Sequence, residues 1–118
     1  MEYMLLIHAD PVAFAALSEA ESVAAMAAYT AYAEALSKAG IDRGSNRLKP
    51  GDMSTTVRVR NGKTEVLDGP FVETREQLGG YFIVDVPDLD AALSWAARCP
   101  GASHGTVEVR PVWDMGGQ

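Results

Sequence analysis

Cysteine is almost absent. Cys99 stands alone among 118 residues, so the chain cannot form a disulfide within itself or supply a thiolate metal cluster. Histidine is scarce too, with only His8 and His104, and neither shows a familiar metal-ligand spacing with Asp10 or Cys99. No metal and no cofactor is therefore expected. Long apolar runs are lacking: the apolar stretches are short and strand-like, or belong to an Ala-rich segment that carries Glu and Lys. A membrane span is excluded on that pattern. The chain enters Tyr3-Met4-Leu5-Leu6-Ile7 directly, without a basic lead or a cleavage pattern, so no signal peptide is expected. A lone cysteine suits a reducing compartment, and the expected location is cytoplasmic. Bases are few, ten Lys and Arg against sixteen Asp and Glu, for a net charge of −6. That balance lacks the basic footprint of a nucleic-acid binder.

What is present is a regular scaffold for one domain spanning residues 1–118. Residues 3–8 are apolar at successive positions, as in a central strand covered on both faces. Asp10-Pro11 opens a short helix near 11–17, and Ser18-x-x-Glu21 is a capping box for a long one. Gly40 stops it at the C′ position. Val23, Met26, Ala27, Thr30, Ala33 and Leu36 recur at three and four and form the expected buried stripe, with Tyr29 and Tyr32 at its edge. An extended arm around 44–50 carries Arg47 and Lys49. Thr55–Arg60 alternates, and Asn61-Gly62 is a strong hairpin signal that pairs Arg60 with Lys63, Arg58 with Glu65 and Val57 with Val66. Tyr81–Val86 reads as a second buried strand. A helix follows from Leu89 to about Arg98, with Leu89, Ala92, Leu93, Ala96 and Ala97 turned inward. Thr106–Val112 is a last strand, with Val107 and Val109 inward and Pro111 marking an edge.

The order predicts an α+β fold of the ferredoxin-like kind, β-α-β-β-α-β with an inserted hairpin. Both helices of such a fold cover one sheet face. The apolar residues on the other face need a second cover, and a second copy of the chain is the simplest one. A homodimer, sheet against sheet as a dimeric α+β barrel, is the expectation.

The connection Asp68–Tyr81 is dense in turn formers and charges, the kind of loop where function concentrates on a rigid scaffold. Asp68 can act as a base or acceptor at a pocket rim, or simply hold a Pro-constrained turn. Glu73 is the other candidate acid, and Phe71 is expected to be a buried anchor for the loop. His8 ends a central strand, where an imidazole can move a proton near neutral pH. Tyr81, Arg47 and Arg58 are candidate ligand contacts, the arginines for an anionic or phenolic group. Gly79-Gly80 matches no phosphate-cradling motif, and no covalent nucleophile pattern is present.

Several runs carry a resemblance: Met4-Leu5-Leu6-Ile7, Thr56–Arg60, Asp68-Gly69-Pro70-Phe71 with Glu73, Arg75 and Glu76, Gly79-Gly80-Tyr81, Asp88–Ala92 and Val107–Pro111. With these the chain resembles the YCII-related, DGPF-domain family over nearly its whole length. The resemblance implies a ferredoxin-like dimeric barrel. It also implies two functional precedents: companions of extracytoplasmic-function sigma factors, and a dehydrochlorinase that acts on a hydroxylated aromatic ring. The family's His–Asp dyad places its histidine on the first long helix, and residues 19–39 here contain none. That chemistry does not carry over.

Two functions fit these observations. One is a small-molecule enzyme or binding protein with a pocket at the barrel or dimer interface, using His8, Asp68, Glu73 and Tyr81. The other is a non-catalytic dimeric accessory or regulatory protein whose acidic second half meets a partner.

Overall fold

The first strand, β1 (Glu2–Ala9), alternates Tyr3, Leu5 and Ile7 with Met4, Leu6 and His8, and only the first set is buried. The computed structural model describes residues 1–116; positions 117 and 118 of the expected domain lie outside the described residues. β1 pairs antiparallel with β5 (Gln77–Asp85) on one side and β6 (Thr106–Pro111) on the other. β2 (Asp42–Arg47) pairs with the far side of β5, which completes the order β2-β5-β1-β6. Among the described residues four α-helices accompany the strands: α1 (Pro11–Ala15), α2 (Glu19–Lys38), α3 (Leu89–Arg98) and α4 (Gly101–His104). The result is an α+β structure with antiparallel sheets, compatible with the expected ferredoxin-like pattern.

The core lies between one sheet face and helices α2 and α3. Leu5, Leu36, Val84 and Cys99 are fully enclosed there. Each such aliphatic side chain contributes about 1.5–3 kcal/mol through its removal from water. Tyr32 packs edge-on against Phe82 and Trp95, and its hydroxyl donates to the Trp95 carbonyl at 2.7 Å. That bond satisfies the one polar atom which burying the ring would otherwise strand.

Helix ends follow the sequence closely. Asp10 accepts from the Val12 amide with Pro11 in the first turn. Ser18 and Glu21 close a reciprocal capping box at 3.1 and 2.9 Å. Gly40, at φ +72°, and Ile41 send their amides back to Ser37 and Leu36 as a Schellman closure.

Helix faces follow it less well. Val23 and Met26 are 65% and 55% exposed, and Ala27 and Thr30 are exposed too, so the expected stripe holds only at Ala33 and Leu36. The buried face is instead set by Tyr29, Tyr32, Ala33 and Leu36. An Ala-rich helix is apolar nearly all round, so alanine spacing cannot choose a face. The tyrosines choose it, because their rings bury the most area and meet Phe82. In α3 the turn is similar: Ala92 and Ala96 are buried, while Leu89, Leu93 and Ala97 are exposed and Trp95 packs on the core instead.

The hairpin β3 (Thr55–Arg60) and β4 (Lys63–Asp68) forms its own two-stranded sheet. Its register is the expected one, Arg60 with Lys63, Arg58 with Glu65 and Val57 with Val66. Asn61 and Gly62 both have positive φ, 52° and 75°, as the two-residue turn requires. Val57, Val59, Val66 and Leu67 are all exposed, so neither hairpin face is covered by the rest of the chain. The radius of gyration, 16.3 Å, exceeds the roughly 13.5 Å of a compact chain of this length, and the shortest dimension is only 18 Å. The molecule is a thin slab with an arm.

The choice of helix face is measurable. Leu36→Ala should cost about 3 kcal/mol in denaturant unfolding. Val23→Ala should stay within about 0.5 kcal/mol. Equal costs would mean that the Val23 side of α2 is packed.

Candidate functional site

The connector after β2 and the loop before β5 face each other across the end of β1, and the cleft between them holds about 770 Å³. Leu48, Pro50 and Met53 come from the connector, Pro70, Phe71 and Val72 from the loop, and Leu78 from the start of β5, so the walls are mostly apolar. The polar groups at hand are His8, Lys49, Ser54, Thr74, Glu76 and Gln77. The two walls are tied by backbone bonds, Gly69 to Ser54 at 2.7 Å and Leu48 to Gly79 at 2.9 Å. Gly51 packs directly against the Gln77 side-chain oxygen, which would have to swing aside for any Cβ there. That oxygen is buried without a hydrogen-bond partner, while the Gln77 amide nitrogen donates to the Thr74 carbonyl at 3.3 Å.

His8 follows Met4 and Leu6 on the open face of β1 and lines the cleft at the strand end. The β1–β5 register shifts there, Ile7 facing Gly80 and His8 facing Leu78, so that Gly79 is the extra residue of a bulge on β5. On its other side β1 meets β6, which sets Thr106 opposite His8. The His8 Nε2 lies 3.0 Å from Glu108 Oε1, and Glu108 also pairs with Arg110. The Thr106 hydroxyl donates to Glu76 at 2.8 Å. A polar corner thus forms along the β6 edge. The Arg110 guanidinium, and after it the His8 ring, hold the Glu108 carboxyl below its ordinary value.

The other expected site residues are scattered. Asp68 ends β4 opposite Thr55, is exposed, and does not line the cleft. Glu73 lines an adjoining, shallower groove of about 500 Å³ with Asp52, Arg75 and Gln77. Arg75 pairs with Asp10 at 3.2 Å. The Tyr81 hydroxyl accepts from Asn46 at 2.8 Å; Tyr81 faces Leu6 in the sheet and does not line the cleft. The Arg47 guanidinium stacks 5.2 Å from the Phe14 ring centre, and Arg58 lies 5.4 Å from that of Phe71. Phe71 is 73% exposed and forms a cleft wall, not the buried anchor expected. The hairpin stands off from the helical layer, so no apolar bed lies beneath that loop.

Glu108, Arg110 and Thr106 are the functional candidates that the sequence alone did not single out, whereas Glu76 was weighed there with Glu73. The alternation of β6 marks Glu108 and Arg110 as outward-facing, but only the pairing of β6 with β1 shows that outward means toward His8. Among the described residues no group of His, Cys, Asp and Glu could hold a metal ion. Burial raises the Cys99 thiol and pushes the Tyr29 phenol up to about 12, which leaves both as neutral packing groups. His104 is exposed on α4.

These features define a class: an α+β protein with an antiparallel sheet open on one face and an apolar cleft at the end of its central strand. Within that class the chain belongs to the YCII-related family, whose model matches residues 1–116. It is also 37% identical over 114 residues to an uncharacterized protein of Rhizobium meliloti (strain 1021), a match that covers 95% of this chain and 92% of that one. No helix among the described residues is long and apolar enough to cross a membrane.

The Glu108 pairing carries a pH signature. A carboxyl with a lowered folded value stabilises the fold above its unfolded value, ordinarily 4.5, and the contribution is lost as pH falls through the folded value. Carboxyl carbon NMR should show Glu108 titrating below 4.5. Arg110→Gln should raise that midpoint more than His8→Phe does. An unmoved midpoint in Arg110→Gln would remove the pairing.

Proposed function

We propose that this YCII-related protein binds or transforms a small molecule in the His8 cleft, working as a cytoplasmic homodimer. The observation that carries the reading is a titratable imidazole with a carboxylate partner at the edge of a roomy, largely apolar cleft. Clefts of this size with a few convergent polar groups are the usual form of ligand sites. His8 is the proton-transfer residue in this proposal. Glu73, in the groove that shares Pro70, Thr74 and Gln77 with the cleft, is placed to meet a longer ligand. Asp68 supports the hairpin base and leaves ligand contact to others.

The dimer is proposed from the uncovered sheet face. Met4 and Leu6 of β1 and Ile83 of β5 are only half-buried there. A second sheet packed on them would give the barrel and bring the cleft to the interface. The exposed valines of the hairpin favour a second reading, a non-catalytic accessory protein that presents this arm to a partner. A link to an extracytoplasmic-function sigma factor belongs to that reading and rests on family resemblance alone.

Sedimentation velocity at micromolar concentration should give twice the chain mass of 12.6 kDa, and a stable monomer would defeat the barrel. In a thermal-shift screen, ligands that stabilise the wild type should lose their effect on His8→Phe and keep it on Asp68→Asn. If His8→Phe binds every such ligand unchanged, the cleft is not the site.

A further inference from the structure

The hydrogen bonds around His8 determine what kind of group its ring can receive. An ionised carboxylate only accepts hydrogen bonds, so a neutral His8 ring facing Glu108 at 3.0 Å carries its proton on Nε2. Nδ1 is then a bare acceptor. Arg110 keeps Glu108 in the charged state that enforces this tautomer. The second acceptor in the corner is Glu76, which takes one hydrogen bond from Thr106 and lines the same cleft as His8. An anionic head group entering here would meet two carboxylates, while Lys49 on the opposite wall offsets the pull on a cation. Two acceptors call for a donor.

Resting on the cleft reading above, we infer that the ligand presents an uncharged hydrogen-bond donor, a hydroxyl or amide N–H on an apolar body, to His8 Nδ1. Glu108 is the positioning residue that keeps Nδ1 free of a proton.

The test compares cyclohexylmethanol with cyclohexanecarboxylate by chemical-shift titration of the full chain. Ring-nitrogen NMR meanwhile reports the His8 tautomer, assigned with His104→Gln. The expected results are a neutral ring with its proton on Nε2 and preference for the alcohol over the carboxylate. Glu108→Gln should mix the tautomers and weaken the alcohol severalfold while the fold still melts cooperatively. An Nδ1-protonated ring in the wild type, or a carboxylate bound as well as the alcohol, overturns the inference and leaves the cleft reading standing. If neither probe moves any resonance of residues 48–54 or 70–78, both fall together.

Discussion

A sheet with apolar residues on both faces, covered by helices on only one, is the constraint from which the rest of this molecule follows. Tyr3, Leu5, Ile7, Phe82 and Val84 are sealed by α2 and α3, while Met4, Leu6 and Ile83 across the same backbone are only half-covered. Two-layer folds resolve this by polar alternation on the open side. Here the sequence keeps apolar residues there, which is the ground for proposing a second layer from another copy. The same one-sided cover makes the molecule 18 Å thin and leaves its hairpin without support.

The position of β1 at the centre of the sheet explains the site as well. Its end is flanked by β5, which bulges at Gly79 beside the cleft, and by β6, which brings Glu108 against the His8 ring. An imidazole from the first strand and a carboxylate from the last one, a hundred residues apart, meet because both neighbour the same strand end. This differs from the helix-borne histidine of the dyad that the family resemblance implies. Residues 19–38 place tyrosines, not an imidazole, toward the sheet, and those tyrosines fill the core. The chemistry available to this chain is that of the open face and the strand end.

Local signals were highly legible because local energetics decide them. The capping box at Ser18, the glycine closure at Gly40, the Asn61-Gly62 turn with its register, and the Asp88 cap of α3 each depend on residues within a few positions of one another. The helix faces were less legible. In an alanine-rich helix the area gained by burying one stripe or another is nearly equal, and the choice falls to ring contacts with Phe82 from a strand far along the chain. Phe71 went astray for a related reason. Burial of an aromatic needs a bed to rest on, and whether the loop lies over the core or beyond it is a matter of where the hairpin departs.

By itself, the sequence determined most of the elements, the helix caps, the hairpin register and the α+β pattern, since these rest on propensity, capping and periodicity; it started β5 too late, at Tyr81 in place of Gln77, and missed the short α4. Tertiary structure alone placed Glu108 and Arg110 beside His8, left Asp68, Tyr81, Arg47 and Arg58 out of the cleft lining, and put Gln77 and Gly51 into it. Strand order is the physical reason. Which outward-facing residues become neighbours depends on the sheet pairing, and pairing is a long-range outcome that no local stretch of the chain encodes.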